Sequence, residues 1–129
     1  MSHVVLIADG VVDLAGHAWR MSDMRPFTGD TREVSLQLGM STRLKDCVGY
    51  AILSQLGDTL VAELVLFSTA AQLCGLCYPV CAIMFKPLRA EDGTTHALDW
   101  SVDYVGLVAQ PNSDRRIKPI QFGANPEDT

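Results

Sequence analysis

Residues 78–112 constrain the fold more than any other part of the chain. An apolar run over residues 80–85 leads to a turn sequence at Glu91-Asp92-Gly93, and residues 96–108 then alternate apolar with polar side chains. The apolar side chains on one face of that second run are Leu98, Trp100, Val102 and Tyr104. Alternation with a period of two beside a glycine turn is typical of paired strands. The segment therefore predicts a long β-hairpin, which the chain leaves through residues 110–112.

Two residues within this hairpin predict local irregularities. Pro87 has no backbone N–H to give to a neighbouring strand, so it restricts the first strand to a sheet edge or a bend. Gly106 interrupts the second strand and predicts a bulge there.

The same reasoning predicts further strands along the chain. The candidate segments are residues 3–8, 11–19, 32–38, 48–54 and 59–67. The Asp9-Gly10 turn predicts that the first two of these pair as a hairpin. Both faces of residues 59–67 are largely apolar, which predicts a strand covered on both sides.

One short helix completes the prediction. Ser68-Thr69 can cap a helix over residues 70–77, and Pro79 would end it. Six or seven strands with one short helix predict a mainly β fold, either a small β-barrel or a two-layer β fold.

The chain of 129 residues fits one domain, and its composition changes after residue 110. We predict a single β-rich domain over residues 1–110, followed by a proline-punctuated basic C-terminal arm over residues 111–129. Arg115, Arg116 and Lys118 lie in that arm, whereas the whole chain has a net charge of −5. A cationic arm on an acidic body can bind a neighbouring copy or another acidic protein, or it can remain a solvated tail.

Charge and hydropathy narrow the possible partners. The acidic balance gives no reason to expect nucleic-acid binding, and no apolar run reaches the ~18 residues needed to cross a bilayer. The N-terminus has no basic start and no small-residue cleavage site, which predicts synthesis in the cytoplasm with reduced cysteines.

Three cysteines have a spacing that could bind zinc. Cys74 and Cys77 form a C-x-x-C pair, and Cys81 follows; Cys47 or a histidine would have to supply the fourth ligand. Their neighbours are mostly apolar, and such surroundings raise a thiol pKa and suit inert buried cysteine. We favour core packing, and we predict no metal and no cofactor.

Candidates for acid–base or nucleophilic catalysis are few. The histidines are His3, His17 and His96, and none has a recognised ligand spacing. Cys81 with His96 or His17 would form a nucleophile and its base if the two side chains met. Asp99 and Asp103 alternate away from the Trp100 face, where carboxylates usually lie on the solvent side of a sheet. We predict no catalytic residue.

Three segments resemble the prohead (capsid-maturation) protease family of tailed phages. VGYAILSQLGDTLVAELVL, residues 48–66, is similar to the family's V-G-x-A hairpin. VCAIMF, residues 80–85, is similar to the strand that carries the family's serine. VDYVGLVAQPN, residues 102–112, is similar to the family's closing E-V-S-L-V-x-x-P-A-N segment.

The same comparison shows departures from the family pattern. The family has its catalytic histidine in an N-H-D segment before the first hairpin, where this chain has Leu38-Gly39-Met40-Ser41-Thr42. Cys81 or a neighbour occupies the serine position, and a nucleophile without its base has no triad. The resemblance therefore implies a protease-like fold without catalytic machinery.

These observations predict a non-enzymatic phage virion protein, a capsid decoration or stabilising subunit made in the host cytoplasm. Its partners would be capsid or other virion subunits, or further copies of itself, with Arg115, Arg116 and Lys118 as partner-binding residues. Neither nucleic acid nor a membrane is an expected partner. The alternatives are an active maturation endopeptidase with a cysteine or serine nucleophile, and a zinc-stabilised binding module.

Overall fold

The computed structural model describes residues 3–12, 17–67, 75–109 and 117–122. Nine strands make up most of these residues: β1 (Val4–Ala8), β2 (Val11–Val12), β3 (His17–Trp19), β4 (Thr31–Leu38), β5 (Cys47–Leu56), β6 (Thr59–Leu66), β7 (Gly75–Arg89), β8 (Thr95–Val108) and β9 (Ile120–Phe122). The sheet closes almost completely into a barrel, which confirms the predicted mainly β fold.

β8 occupies the centre of the sheet. One edge of β8 pairs antiparallel with β7 along nearly its whole length. The other edge pairs in parallel with β3 near its start and with β4 near its end. The sheet continues from β4 through β5 and β6 to β1, which approaches β7 but forms no ladder with it.

Two predicted hairpins are confirmed. β5 and β6 pair in continuous register around a turn with Gly57 at φ 61°. β7 and β8 pair around residues 90–94, where the Ala90 N–H donates to the Thr94 carbonyl and Gly93 has φ 89°. Glycine adopts such positive φ values at little cost, which explains why both turns form there.

Two other predictions are wrong. β1 pairs with β6 rather than with the segment that follows it, and β2 pairs with β3 instead. Of the predicted helix over residues 70–77, Gly75–Cys77 belong to β7, where they pair with β9. Residues 68–74 lie outside the described residues. The helical turns in the described part are two 3-10 turns, Met21–Asp23 and Leu44–Asp46.

Bulges in β8 change which side chains face the barrel interior. The β7–β8 register shifts at Ala82/Ile83 and again at Met84/Lys86. At each shift β8 has one residue more than β7: Asp103 at the first, and one of the pair Asp99 and Trp100 at the second. The buried residues of β8 are therefore unevenly spaced: Ala97, Trp100, Val102, Val105, Gly106 and Leu107. Tyr104, predicted on the Trp100 face, instead donates its hydroxyl to the Met40 carbonyl.

Gly106 is not at either bulge, contrary to the prediction. A Cβ placed there would lie 2.3 Å from the Gly39 carbonyl oxygen and 2.7 Å from the Met40 sulfur. The position thus requires glycine because the chain after β4 crosses directly over it.

The core fills the barrel interior and extends beyond residue 110. Its fully buried side chains include Leu36, Leu53, Leu60, Trp100 and Val105. Ile117 and Phe122 are also buried. Part of the predicted arm therefore packs on the barrel, while its boundary at residue 110 stays a prediction. Among the described residues, no helix has the length and apolarity required to span a membrane.

Candidate functional site

The structure does not bring Cys81 and His96 together. Both lie on the β7–β8 hairpin, but Cys81 is opposite Val105 and His96 is opposite Leu88. The cross-strand pair that contains Cys81 and the pair that contains His96 are seven residues apart along β7. At roughly 3.3 Å per residue, this separation is about 23 Å. The buried Nδ1 of His96 has no hydrogen-bond partner among the described residues. The pair therefore cannot act as a nucleophile and base.

His17 belongs to an aromatic cluster. Its ring lies 5.0 Å from the ring of Phe85 and 6.1 Å from that of Trp19, both in edge-to-face geometry. Trp19 in turn contacts Trp100 at 5.9 Å. Phe85 is four residues beyond Cys81 on β7, about 13 Å along the strand. The packing of His17 against aromatic rings places it away from the thiol.

Two of the three candidate zinc ligands are too far apart to share an ion. Cys77 and Cys81 lie four residues apart on the extended strand β7, about 13 Å at the usual rise. Sulfurs that bind one zinc lie within about 4 Å of each other, since each Zn–S bond is about 2.3 Å. Cys74 lies outside the described residues. Within the described residues, no group of three or more His, Cys, Asp or Glu side chains could hold a metal ion.

The environment of Cys81 favours the protonated thiol. It is half-buried against the core, and desolvation raises the pKa of its thiol to about 12. A thiol with that pKa is protonated at neutral pH, whereas the thiolate is the reactive form. The predicted packing of this cysteine among apolar side chains is confirmed, while its low reactivity stays a prediction.

This pKa predicts slow alkylation of Cys81. At pH 8, iodoacetamide should modify Cys81 in the folded protein roughly a hundredfold more slowly than an unperturbed thiol. The rate should keep rising with pH beyond pH 9 instead of levelling off there. Mass spectrometry of the peptide that contains Cys81 measures it, and urea-unfolded protein is the control. Fast modification of the native protein at pH 8 would contradict the assignment.

The predicted partner-binding residues are described only in part. Arg115 and Arg116 lie outside the described residues. Lys118 is exposed and lies two residues before β9, next to the buried Ile117. Its side chain is therefore free to reach a partner while the chain on either side is held against the barrel.

A group of charged residues that the sequence did not single out surrounds Asp99. The Arg25 guanidinium donates to both carboxylate oxygens of Asp99, through Nε at 3.1 Å and Nη2 at 2.8 Å. Lys86 Nζ lies 3.7 Å from the same carboxylate. The hydrogen bond from Arg25 holds the pKa of Asp99 below its usual range. The Asp99 side chain is partly exposed, as the alternation predicted, but its carboxylate is also paired with Arg25.

These side chains line an open groove of about 300 Å³. Arg25, Arg32, Lys86 and Asp99 supply its charges, and Met84, Phe85 and Ser101 its remaining surface. We call it the cationic groove. Asp99 has φ 50°, a left-handed value that is uncommon outside glycine, and it lies in one of the β8 bulges. The bulge turns its carboxylate towards Arg25, and no sequence pattern indicated this.

Large apolar side chains are exposed at one end of the barrel. β4 and β6 end there and β5 begins, as the pairing of Gln37 with Cys47 and of Gly49 with Leu66 shows. The exposed side chains are Leu38, Met40, Leu44, Leu66 and Phe67, which we call the apolar rim. Leu44 is 89% exposed and Met40 is 47% exposed. The Phe67 ring packs at 6.3 Å from that of Tyr50 on the outer face of β5.

Comparisons of this chain with family models, with curated proteins and with solved structures each find no match.

Proposed function

We propose that this protein is a non-enzymatic phage virion protein, a decoration or stabilising subunit bound to the capsid. The apolar rim is the observation that carries the proposal. Exposed apolar side chains grouped at one place on a protein surface mark protein–protein or membrane contacts, whereas single scattered ones are normal. In the proposed role, the rim becomes buried between neighbouring shell subunits.

The position of the rim suits such a contact. Leu44 projects from the 3-10 turn Leu44–Asp46, in the connection between β4 and β5. Ser41 Oγ donates to the Asp46 carboxylate at 2.6 Å and accepts from the Arg43 N–H at 3.1 Å. These hydrogen bonds order the connection before binding. An ordered surface loses less conformational entropy on association, so its apolar contacts contribute more to affinity.

The cysteine chemistry supports a binding role over the endopeptidase alternative. The Cys81 thiol is protonated at neutral pH, and the β7–β8 register holds His96 far from it. Covalent catalysis requires an activated nucleophile within hydrogen-bond reach of a base. The separation of Cys77 from Cys81 likewise gives no support to a zinc-stabilised module.

The resemblance to prohead proteases supplies the phage context of the proposal. The first similar segment lies in β5–β6, the second in β7, and most of the third in β8. All three contribute to the same barrel wall. We therefore propose that the shared features concern the fold, while the protein itself is made in the host cytoplasm and incorporated into the virion.

Lattice binding would multiply weak contacts. Many copies bound to a regular shell are retained strongly even when each site is weak. In this proposal Arg115, Arg116 and Lys118 add electrostatic contacts to acidic capsid surfaces or neighbouring copies. Such contacts weaken with salt because exposed charges are screened over about 8 Å at physiological ionic strength.

Sedimentation with particles tests the proposal. The double variant Met40→Asp/Leu44→Asp should lower the fraction of protein that co-sediments with capsids, with an affinity loss of about tenfold or more. Leu56→Asp is the matched control, because Leu56 is 67% exposed at the other end of β5. Particles from successive maturation stages should be assayed. The proposal fails if the unmodified protein sediments with none of them, or if the rim variant binds as well as the control.

A further inference from the structure

We infer that the cationic groove binds an acidic segment of a partner protein, with carboxylate side chains as the recognised groups. This inference goes beyond the proposed capsid role and does not depend on it. The groove is formed by β4, β7, β8 and the segment that contains Arg25, whereas the apolar rim lies where β4 and β6 end.

Charge is the first argument. Three cations and one carboxylate line the groove, a local excess of two positive charges on a chain whose net charge is −5. Local potentials of this kind attract ligands of opposite charge and orient them on approach. A partner segment with two or more carboxylates would complement the excess.

Hydrogen-bonding capacity is the second argument. Asp99 engages Nε and Nη2 of Arg25, so Nη1 has no partner among the described residues. Lys86 Nζ makes only a long contact with Asp99, and its side chain is 77% exposed. The Arg32 guanidinium forms no ion pair or hydrogen bond within the described part of the chain, although its backbone pairs with β5. These groups can donate hydrogen bonds to incoming carboxylates without breaking the Arg25–Asp99 pair.

Preorganisation is the third argument. The Arg25 N–H donates to the Trp100 carbonyl at 2.7 Å, which fixes the Arg25 backbone against β8. The bidentate pair with Asp99 then fixes the plane of the guanidinium. A guanidinium held in one orientation loses little entropy when it binds a second carboxylate. The bulge at Asp99 thus orders the groove before a ligand arrives.

The observations favour an acidic peptide over a nucleic acid. Phosphate backbones are followed by extended stripes of Lys and Arg with aromatic stacking platforms. Here the cations form a compact group around an anion. The aromatic ring in the groove's lining, Phe85, packs edge-to-face against His17 and Trp19, and the neighbouring Met84 is 65% exposed. Met84 can contact the methylene groups of a glutamate side chain.

Titration of the isotopically labelled full-length protein with a hexaglutamate peptide tests this inference. Hexaglutamine is the uncharged control peptide, and a thymidine hexanucleotide is the polyphosphate control. Backbone NMR shifts should change around residues 84–86 and 99–101. Hexaglutamine should cause no such changes, and the oligonucleotide should bind more weakly than hexaglutamate. Raising the salt concentration should weaken hexaglutamate binding.

Charge reversal locates the site. Arg32→Glu and Lys86→Glu should each weaken hexaglutamate binding by about tenfold. Lys45→Glu is the control, because Lys45 is exposed on the 3-10 turn between β4 and β5. It should change the affinity less than about twofold. Neither groove variant removes the Arg25–Asp99 pair, so both should fold.

Several results would overturn the inference. The first is a set of NMR shift changes spread over all exposed cationic residues. The second is an equal loss of hexaglutamate affinity in the Lys45→Glu variant, and the third is tighter binding of the oligonucleotide than of hexaglutamate. Capsid sedimentation of the Lys86→Glu variant keeps the two proposals separate. If this variant no longer binds hexaglutamate but still sediments with particles, both proposals are upheld. If the rim variants show that the capsid proposal is wrong, the peptide measurement at the groove is unaffected.

Discussion

Replacing Trp100 by alanine is expected to lower the free energy of unfolding by about 4 kcal/mol, within the range measured for large buried aromatic residues. Trp100 is fully buried at the centre of the barrel, and its ring packs edge-to-face on Trp19 at 5.9 Å. Its indole Nε1–H donates to the Arg20 carbonyl at 2.8 Å. The truncation therefore leaves a cavity and removes the partner of a backbone carbonyl.

Urea unfolding followed by circular dichroism measures this effect. A domain of this size typically has a stability of about 5–15 kcal/mol, so the variant should unfold at much lower urea concentrations. Leu56→Ala is the control, because Leu56 is mostly exposed and its truncation should cost less than about 0.5 kcal/mol. A loss below about 1 kcal/mol for Trp100→Ala would contradict the description of the core.

Gly49→Ala should be nearly as damaging, although it adds a single methyl group. A Cβ at Gly49 would lie 2.0 Å from the Val65 carbonyl oxygen and 3.0 Å from the Leu66 Cα. Both atoms are backbone, so no side-chain rotation can relieve the clash. Strands β5 and β6 would have to separate where they pair, at a cost of about 3 kcal/mol or more, the upper end for overpacking.

Gly29→Ala is the matched substitution, because a Cβ there would meet no atom within 4 Å. It should change stability by less than about 0.5 kcal/mol. Thermal unfolding of both variants compares the two positions directly. Equal midpoints would show that β5 and β6 are not packed as closely at Gly49 as the structure places them.

The sequence allowed the local parts of the fold to be predicted. The β5–β6 and β7–β8 hairpins depend on alternation and on turns at Gly57 and Gly93, which are properties of neighbouring residues. The partner of β1 could not be predicted in this way. Asp9-Gly10 favours a tight turn, but pairing with β6 joins residues more than fifty positions apart. Parallel pairing of β8 with β3 and β4 is equally non-local.

The candidate sites show the same difference between features set by neighbouring residues and features set by residues distant in sequence. The packing of Cys81 against the core could be predicted from its apolar neighbours in sequence. The cationic groove could not be predicted, since Arg25 and Asp99 are 74 positions apart and meet only because β8 bulges. The alternating pattern in β8 placed Asp99 on the outer face but contained no indication of its left-handed backbone.

The gap between β1 and β7 has a consequence for self-assembly. An open strand edge can recruit identical chains and grow into fibrils. Pro79 and Pro87 lack the N–H that such growth requires, and the exposed Lys86 and Arg89 add like charges that would repel a second copy aligned in register. Strand β7 therefore has sequence features that disfavour amyloid-like stacking at this open edge.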